Sequence, residues 1–150
     1  MLAETSGLVP VLQTAVGPVV MISGVGLLLL SMTNRLGRIV DRSRSLARQV
    51  REASDEDKGP VQAQLRILGQ RARMVRRAIA LASFCVLFAA VLVISLFVTA
   101  LFHVDIPWLV AGLFILSMGS LIASMVEFIR DISMALHATA LEVGDEWGKK

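Results

Sequence analysis

The sequence MTNRLGRIVDRSRSL, residues 32–46, lies where the chain changes from apolar to basic. Residues 23–31 before it are almost wholly apolar, and four arginines then occur within residues 35–44. Arginine is stable at the interface between a bilayer and water, but it is costly inside the hydrocarbon. The pattern therefore predicts a helix that leaves a membrane at this point.

Charge is segregated along the whole chain. Of the 150 residues, 55% are hydrophobic, against ~45–50% for typical soluble domains, and the mean hydropathy is +0.71. No Asp, Glu, Lys or Arg occurs in residues 5–34, 78–102 or 106–126. Each run reaches the ~20 residues that a helix needs to cross a bilayer. We therefore predict three transmembrane helices.

Apolar residues keep a helical spacing beyond these runs. Three–four spacing continues after the first run, which is typical of an amphipathic helix. The second helix carries an apolar seam with alternating steps of four and three, which is typical of left-handed packing on neighbouring helices. Its members are Val61, Leu65, Leu68, Ala72, Val75, Ile79, Ala82, Val86, Ala89, Val93, Leu96 and Ala100.

The predicted fold is all-α, a membrane protein whose three transmembrane helices extend into a cytoplasmic coiled-coil-like bundle. Acidic residues followed by Gly59 and Pro60 predict a turn between two cytoplasmic helices at residues 54–60. The expected segments are a first span at about residues 8–32, a cytoplasmic helical hairpin at 33–77, a second span at 78–102, a third span at 108–128 and a cytoplasmic C-terminal helix at 129–143.

The distribution of basic residues predicts the orientation. Twelve of the fifteen lie between Thr33 and Arg77, and the other three follow the third span. No basic residue precedes Arg35 or separates the second span from the third. By the positive-inside rule, the N-terminus lies outside, whereas the hairpin and the C-terminus are cytoplasmic.

Residues 22–42, ISGVGLLLLSMTNRLGRIVDR, resemble the bacterial membrane-protein family DUF2721, a domain of unknown function. The apolar run that leads into the arginines carries the resemblance. The chain length, the spacing to the second apolar run and the third span fit the family over most of the chain. The resemblance implies a small multi-pass protein of the bacterial inner membrane, and it implies no activity and no site residues.

Small residues recur on one face of the first helix. Gly17, Gly24 and Ser31 are spaced by seven residues, so they lie along one side of an α-helix. Small residues allow two helix backbones to approach closely in a membrane. We therefore favour a contact between helices at this face over a pore lining.

Polar residues share one face of the third helix. A row of hydroxyls followed by carboxylates could line a cation route. The alternative, which we favour, is a hydrogen-bonded helix interface whose carboxylates pair with arginines. The residues of this face are Ser117, Ser120, Ser124, Glu127 and Asp131.

Several arginines are expected at the membrane depth of these carboxylates. Unpaired charge is costly there, so we expect ion pairs across the bundle with Glu127 and Asp131. The same arginines are candidates for binding anionic lipid headgroups. They are Arg35, Arg38, Arg73, Arg76 and Arg77.

No phosphate-binding loop, dinucleotide fingerprint, zinc-protease motif, paired-cysteine motif or nucleophile triad is recognisable. We expect no enzyme activity, no catalytic residues, no cofactor, no metal site and no nucleic-acid partner. We expect a small integral membrane protein that self-associates as a homo-oligomer, has a structural or regulatory role and presents a cytoplasmic helical platform. One alternative is a homo-oligomeric ion channel lined by small and hydroxyl residues. A second is a lipid-binding accessory subunit of a larger membrane complex.

Overall fold

The computed structural model describes residues 2–52, 58–102 and 106–147, with side chains for residues 9–10, 12–52, 59, 61–102 and 106–134. Of the predicted turn at 54–60, residues 54–57 lie outside the described residues. Side chains of the predicted C-terminal helix beyond Met134 lie outside them as well. The described chain is made of three α-helices: α1 Leu2–Glu52, α2 Lys58–Phe102 and α3 Pro107–Trp147. The prediction of a turn is wrong for Gly59 and Pro60, which belong to the first turn of helix α2, where a proline is tolerated because its missing amide donor is not needed. The all-α prediction is confirmed.

Each helix contains a segment that is long and apolar enough to cross a membrane. The segments are Leu12–Glu52, Val61–Phe102 and Pro107–Met134. This confirms the prediction of three helices with the length and composition of membrane spans. Trp108 is 88% exposed and Leu27 is 71% exposed. So much exposed apolar surface is unfavourable in water and is expected in contact with lipid, as in a multi-pass membrane protein.

Prolines mark the start of one helix and lie inside another. The carbonyl of Ile106 accepts hydrogen bonds from the amides of Leu109 and Val110, at 3.2 and 3.4 Å, where α3 begins. Pro107 suits the first helical position, where an amide donor is not needed. Helix α1 remains helical through Pro10 and Pro18, which membrane helices tolerate when neighbouring groups compensate for the missing donor.

The chain divides into two compact groups of residues. The first, here called the apolar unit, consists of Met1–Ser31 and Ala80–Ala123, and the second, the charged unit, consists of Met32–Ile79 and Ser124–Lys150. The buried core of the apolar unit includes Val25, Ala82 and Cys85. Partly buried residues packed against this core are Met21, Leu29, Val86 and Leu121.

Burial follows a seven-residue repeat on α1 and α2. On α1 the repeat consists of Val25, Met32, Ile39 and Leu46. On α2 the buried residues alternate steps of three and four, and they are Val75, Ala78, Ala82, Cys85, Ala89 and Leu92. Repeats of this kind keep one side of a helix directed at its neighbours along its length.

The predicted seam of α2 is partly wrong. Of the six predicted members within residues 75–93, three are buried, namely Val75, Ala82 and Ala89. The other three, Ile79, Val86 and Val93, are only partly buried, and the residue before each is buried in its place. Small side chains such as Ala78 allow α3 to approach the backbone of α2, whereas a branched side chain would hold the helices apart.

Candidate functional site

Asp131 on α3 is the centre of a cluster of charges in the charged unit. Its side chain is 0% exposed. Its Oδ2 atom lies 2.8 Å from Nε of Arg35 on α1, and Nε of Arg71 on α2 donates a hydrogen bond of 3.4 Å to Oδ1. One buried carboxylate therefore contacts a guanidinium from each of the other two helices.

The two contacts of Asp131 differ in kind. Although Nε of Arg35 is the closer donor, its approach lacks hydrogen-bond geometry, and Oδ2 accepts no hydrogen bond from the described residues. The attraction between Asp131 and Arg35 is therefore mainly Coulombic, and burial reduces its screening. The Arg35 guanidinium also lies over the ring of Phe128, with Cζ 5.7 Å from the ring centroid. This distance is typical of a cation–π contact, which helps to hold the guanidinium in place.

The cluster carries an excess of positive charge. Two guanidiniums flank a single carboxylate, so the three side chains have a net charge of +1. The side chains of Arg35 and Arg71 remain 23% and 21% exposed. A buried carboxylate is costly without cationic partners, and these arginines supply them while keeping contact with the surroundings.

The sequence predicted only part of this cluster. Arg35 and Asp131 were expected near each other, but Arg71 was not among the candidates. The other four candidate arginines are exposed, and none lies within 4 Å of a carboxylate of the described residues; they are Arg38, Arg73, Arg76 and Arg77. The apolar spacing gave no signal for Arg71, because neither Arg71 nor Ala78, seven residues further on, belongs to the predicted seam of α2.

Glu127 does not join the cluster. Its Oε1 atom accepts a hydrogen bond of 3.4 Å from Nη1 of Arg130 on the same helix. The expected pairing of Glu127 across the bundle is not found in the part of the chain that the structure describes. Glu127 is only partly buried, so its side chain can reach the next turn of its own helix, where residues three apart are neighbours.

Two serines of α3 bind carbonyl groups of α2. In the charged unit, Oγ of Ser124 donates to the carbonyl of Ala78 at 2.7 Å. In the apolar unit, Oγ of Ser117 donates to the carbonyl of Cys85 at 3.0 Å, and it lies 3.4 Å from Sγ of Cys85. Both serines are buried, and Ser120 is partly buried. The arrangement is that of a hydrogen-bonded helix interface, and it engages two hydroxyls that a cation route would require.

The polar contacts between α2 and α3 repeat every seven residues on both helices. Within each unit, moving α3 by one helical turn along α2 would remove these contacts, so they specify the local register of the two antiparallel helices. The pairs are Arg71 with Asp131, Ala78 with Ser124 and Cys85 with Ser117.

The small residues of α1 lie away from these contacts. Gly17, Gly24 and Ser31 are exposed. A Cβ atom added at Gly17 or Gly24 would meet nothing within 4 Å. This face of α1 is therefore not used for close packing within the part of the chain that the structure describes.

Comparison with known proteins identifies the family. The family model described as "Protein of unknown function (DUF2721)" matches residues 15–141. No curated protein and no solved structure matches the chain. Among the described residues, no group of three His, Cys, Asp or Glu side chains could hold a metal ion. The matched region contains the arginine-rich junction, both buried serines and Asp131, and the chain belongs to the DUF2721 family.

Proposed function

We propose that this chain is a small integral membrane protein that self-associates and has a structural or regulatory role. Its proposed location is the bacterial inner membrane, with the N-terminus outside and with the hairpin and the C-terminus in the cytoplasm. The three apolar helices support the membrane assignment. The basic residues concentrated in 35–77 support the orientation.

The main observation in support of self-association is the exposed face of α1 that contains Gly17, Gly24 and Ser31. Gly24 is exposed and has open space around it, whereas the adjacent Val25 is buried. Neighbouring residues differ by about 100° around an α-helix, so the small face and the buried face point in different directions. A second copy at the small face would bring two backbones close together, which is how small residues favour helix association in lipid.

The cytoplasmic part is proposed to act as a helical platform. On α1 the buried repeat continues through Met32, Ile39 and Leu46, beyond the charge-free run. A sustained seven-residue repeat is typical of coiled-coil-like packing. Exposed arginines such as Arg38 and Arg76 leave this part of the protein available to anionic lipid headgroups or to a partner protein.

The mass of the intact complex in detergent tests self-association. The full chain is expected to have a multiple of the single-chain mass. Gly24→Leu is expected to shift the complex toward a single chain, because the larger side chain would hold two copies apart. Gly26→Leu is the matched control, since Gly26 is also exposed and open but points about 200° away from Gly24. A monomeric wild type, or equal masses for the two variants, would contradict the proposal.

The ion-channel alternative requires a narrower set of lining residues than the sequence suggested. Ser117 and Ser124 are buried and donate to α2 carbonyls. A pore would therefore be formed between several copies and lined by the exposed Gly17, Gly24 and Ser31. Reproducible conductance in liposomes that changes in Gly24→Leu but not in Gly26→Leu would favour a channel. The accessory-subunit alternative would instead be favoured by a defined partner that co-purifies at a constant ratio.

A further inference from the structure

The charge cluster leaves donor groups available for an additional ligand. Arg35 and Arg71 each contact the carboxylate of Asp131 through their own Nε atom. A guanidinium is planar and its N–H groups diverge, so a partner at Nε leaves the edge formed by Nη1 and Nη2 facing elsewhere. Both arginine side chains retain about a fifth of their exposure. No carboxylate of the described residues other than Asp131 lies within 4 Å of either guanidinium.

The cluster lies just beyond the charge-free runs. Arg35 is the first residue after the run 5–34, Asp131 follows the run 106–126 by five residues, and Arg71 precedes the run 78–102 by seven. At ~1.5 Å per residue along a helix, these offsets are about 2, 8 and 11 Å. The polar layer on each side of a bilayer is about 5–8 Å thick. The three side chains are thus in or near the layer that contains lipid phosphates.

We propose that Arg35 and Arg71 bind the phosphate diester of an anionic phospholipid in the cytoplasmic leaflet. Paired N–H donors of arginine match the oxygens of a phosphate, and charge assistance strengthens these hydrogen bonds. The net charge of the cluster favours a monoanionic headgroup, and the Phe128 ring restrains the Arg35 guanidinium. Exposed apolar side chains of the charged unit itself, among them Val126 and Ile129 on α3, provide a surface for the acyl chains. This inference rests on the proposed membrane insertion and is independent of self-association.

The shared arginines make Asp131 a competitor of the bound phosphate. Replacing an arginine removes donors and should weaken binding. Replacing Asp131 with asparagine keeps the side-chain shape and removes the competing charge, so it should strengthen binding. If the ion pair were purely structural, replacing Asp131 and replacing an arginine would not change the lipid affinity in opposite directions.

Lipid binding to the full chain in detergent, measured by native mass spectrometry, tests the proposal. The probes are phosphatidylglycerol, phosphatidylcholine and inorganic phosphate alone. Phosphatidylglycerol is expected to bind about tenfold more tightly than phosphatidylcholine, and Arg35→Gln or Arg71→Gln should lower its affinity about tenfold, as expected for loss of a charge-assisted hydrogen bond. Asp131→Asn should raise that affinity severalfold. Arg66→Gln, which alters an exposed arginine of α2, is the control and should bind like the wild type.

Three outcomes would overturn the proposal. One is wild-type affinity in both glutamine variants, and another is weakened binding in Asp131→Asn. The third is arginine-dependent binding of inorganic phosphate without any preference for phosphatidylglycerol, which would assign the site to a soluble phosphate. If the glutamine variants do not fold, Arg35→Lys and Arg71→Lys retain charge but lose the planar fork, and unchanged lipid selectivity in both would also overturn it. Lipids are counted per chain, so a monomeric protein would refute self-association without affecting this test.

Discussion

Asp131 is completely buried, whereas the side chain of Arg35, whose Nε lies 2.8 Å from Oδ2 of Asp131, remains 23% exposed. The acidic partner is thus enclosed by protein, and the basic partner extends from it toward the surroundings. Arg71 approaches the same carboxylate from another helix. A single acidic side chain therefore links three helices in the charged unit, and its loss should have consequences that the loss of an exposed charge would not have.

Replacing Asp131 should destabilise the protein in the absence of anionic lipid. We expect Asp131→Asn to lower the free energy of unfolding by about 2–3 kcal/mol, because removal of one member of a buried ion pair leaves its partners uncompensated. The partial exposure of both arginines keeps this value below the ~3–5 kcal/mol expected when one member of a fully buried pair is removed. Denaturant unfolding in an uncharged detergent, followed by circular dichroism, measures the change.

Glu127→Gln is the matched control for Asp131→Asn, since the two carboxylates are four residues apart on α3. Glu127 pairs with Arg130, whose side chain is 65% exposed. Exposed pairs of this spacing contribute little, so we expect a change within about 0.5 kcal/mol. Equal effects of the two substitutions would show that the buried cluster has no special role in stability.

The Ser124 hydroxyl should make a small but measurable contribution to stability. We expect Ser124→Ala to cost about 0.6 kcal/mol, a typical value for hydrogen bonds between membrane helices. Ser124→Leu should cost more, about 1–3 kcal/mol, because the added volume would push α3 away from Ala78. Ser133→Ala is the control, since its exposed hydroxyl donates within α3 to Ile129. Thermal unfolding measures these changes. A greater loss of stability in Ser124→Ala than in Ser124→Leu would argue against close packing of α3 at Ala78.

The charged unit should depend on the buried repeat of α1. Leu46 is 5% exposed, and we expect Leu46→Ala to lower the free energy of unfolding by about 2–4 kcal/mol through lost apolar contacts and a residual cavity. Ile67 on α2 is 51% exposed, so Ile67→Ala should have a much smaller effect. Denaturant unfolding of both variants measures the difference, and a similar loss in both would contradict packing through the repeat.

Cysteine labelling in intact cells should report the proposed orientation. In a Cys85→Ala background, Trp108→Cys should react with a membrane-impermeant maleimide added from outside, because Trp108 is exposed at the start of α3. Gly59→Cys should react only after the membrane is opened, because the positive-inside rule places the hairpin in the cytoplasm. Labelling of Gly59→Cys in intact cells, with protection of Trp108→Cys, would invert the topology.

The seam of α2 shows which features of helix packing the sequence could predict and which it could not. Its four–three spacing predicted a helix that packs along one side, and Val75, Ala82 and Ala89 are buried accordingly. The same spacing did not decide between Ile79 and Ala78, because both are apolar and lie on adjacent positions of the helix. That choice depends on α3, since Ser124 reaches the carbonyl of Ala78 only where the two helices come close together.

The sequence by itself determined the class of the protein and the number of its helices. Charge-free runs of sufficient length separate lipid-compatible segments from water-compatible ones, and this preference is a local property that accumulates residue by residue. Only the tertiary structure decided that Arg35 and Arg71, rather than the exposed Arg73 or Arg76, contact Asp131. Arginines are distributed around long helices, and the rotation and register that direct one of them inward arise from contacts between residues far apart in the chain. Those contacts come from the small side chains and hydroxyls at which α2 and α3 meet.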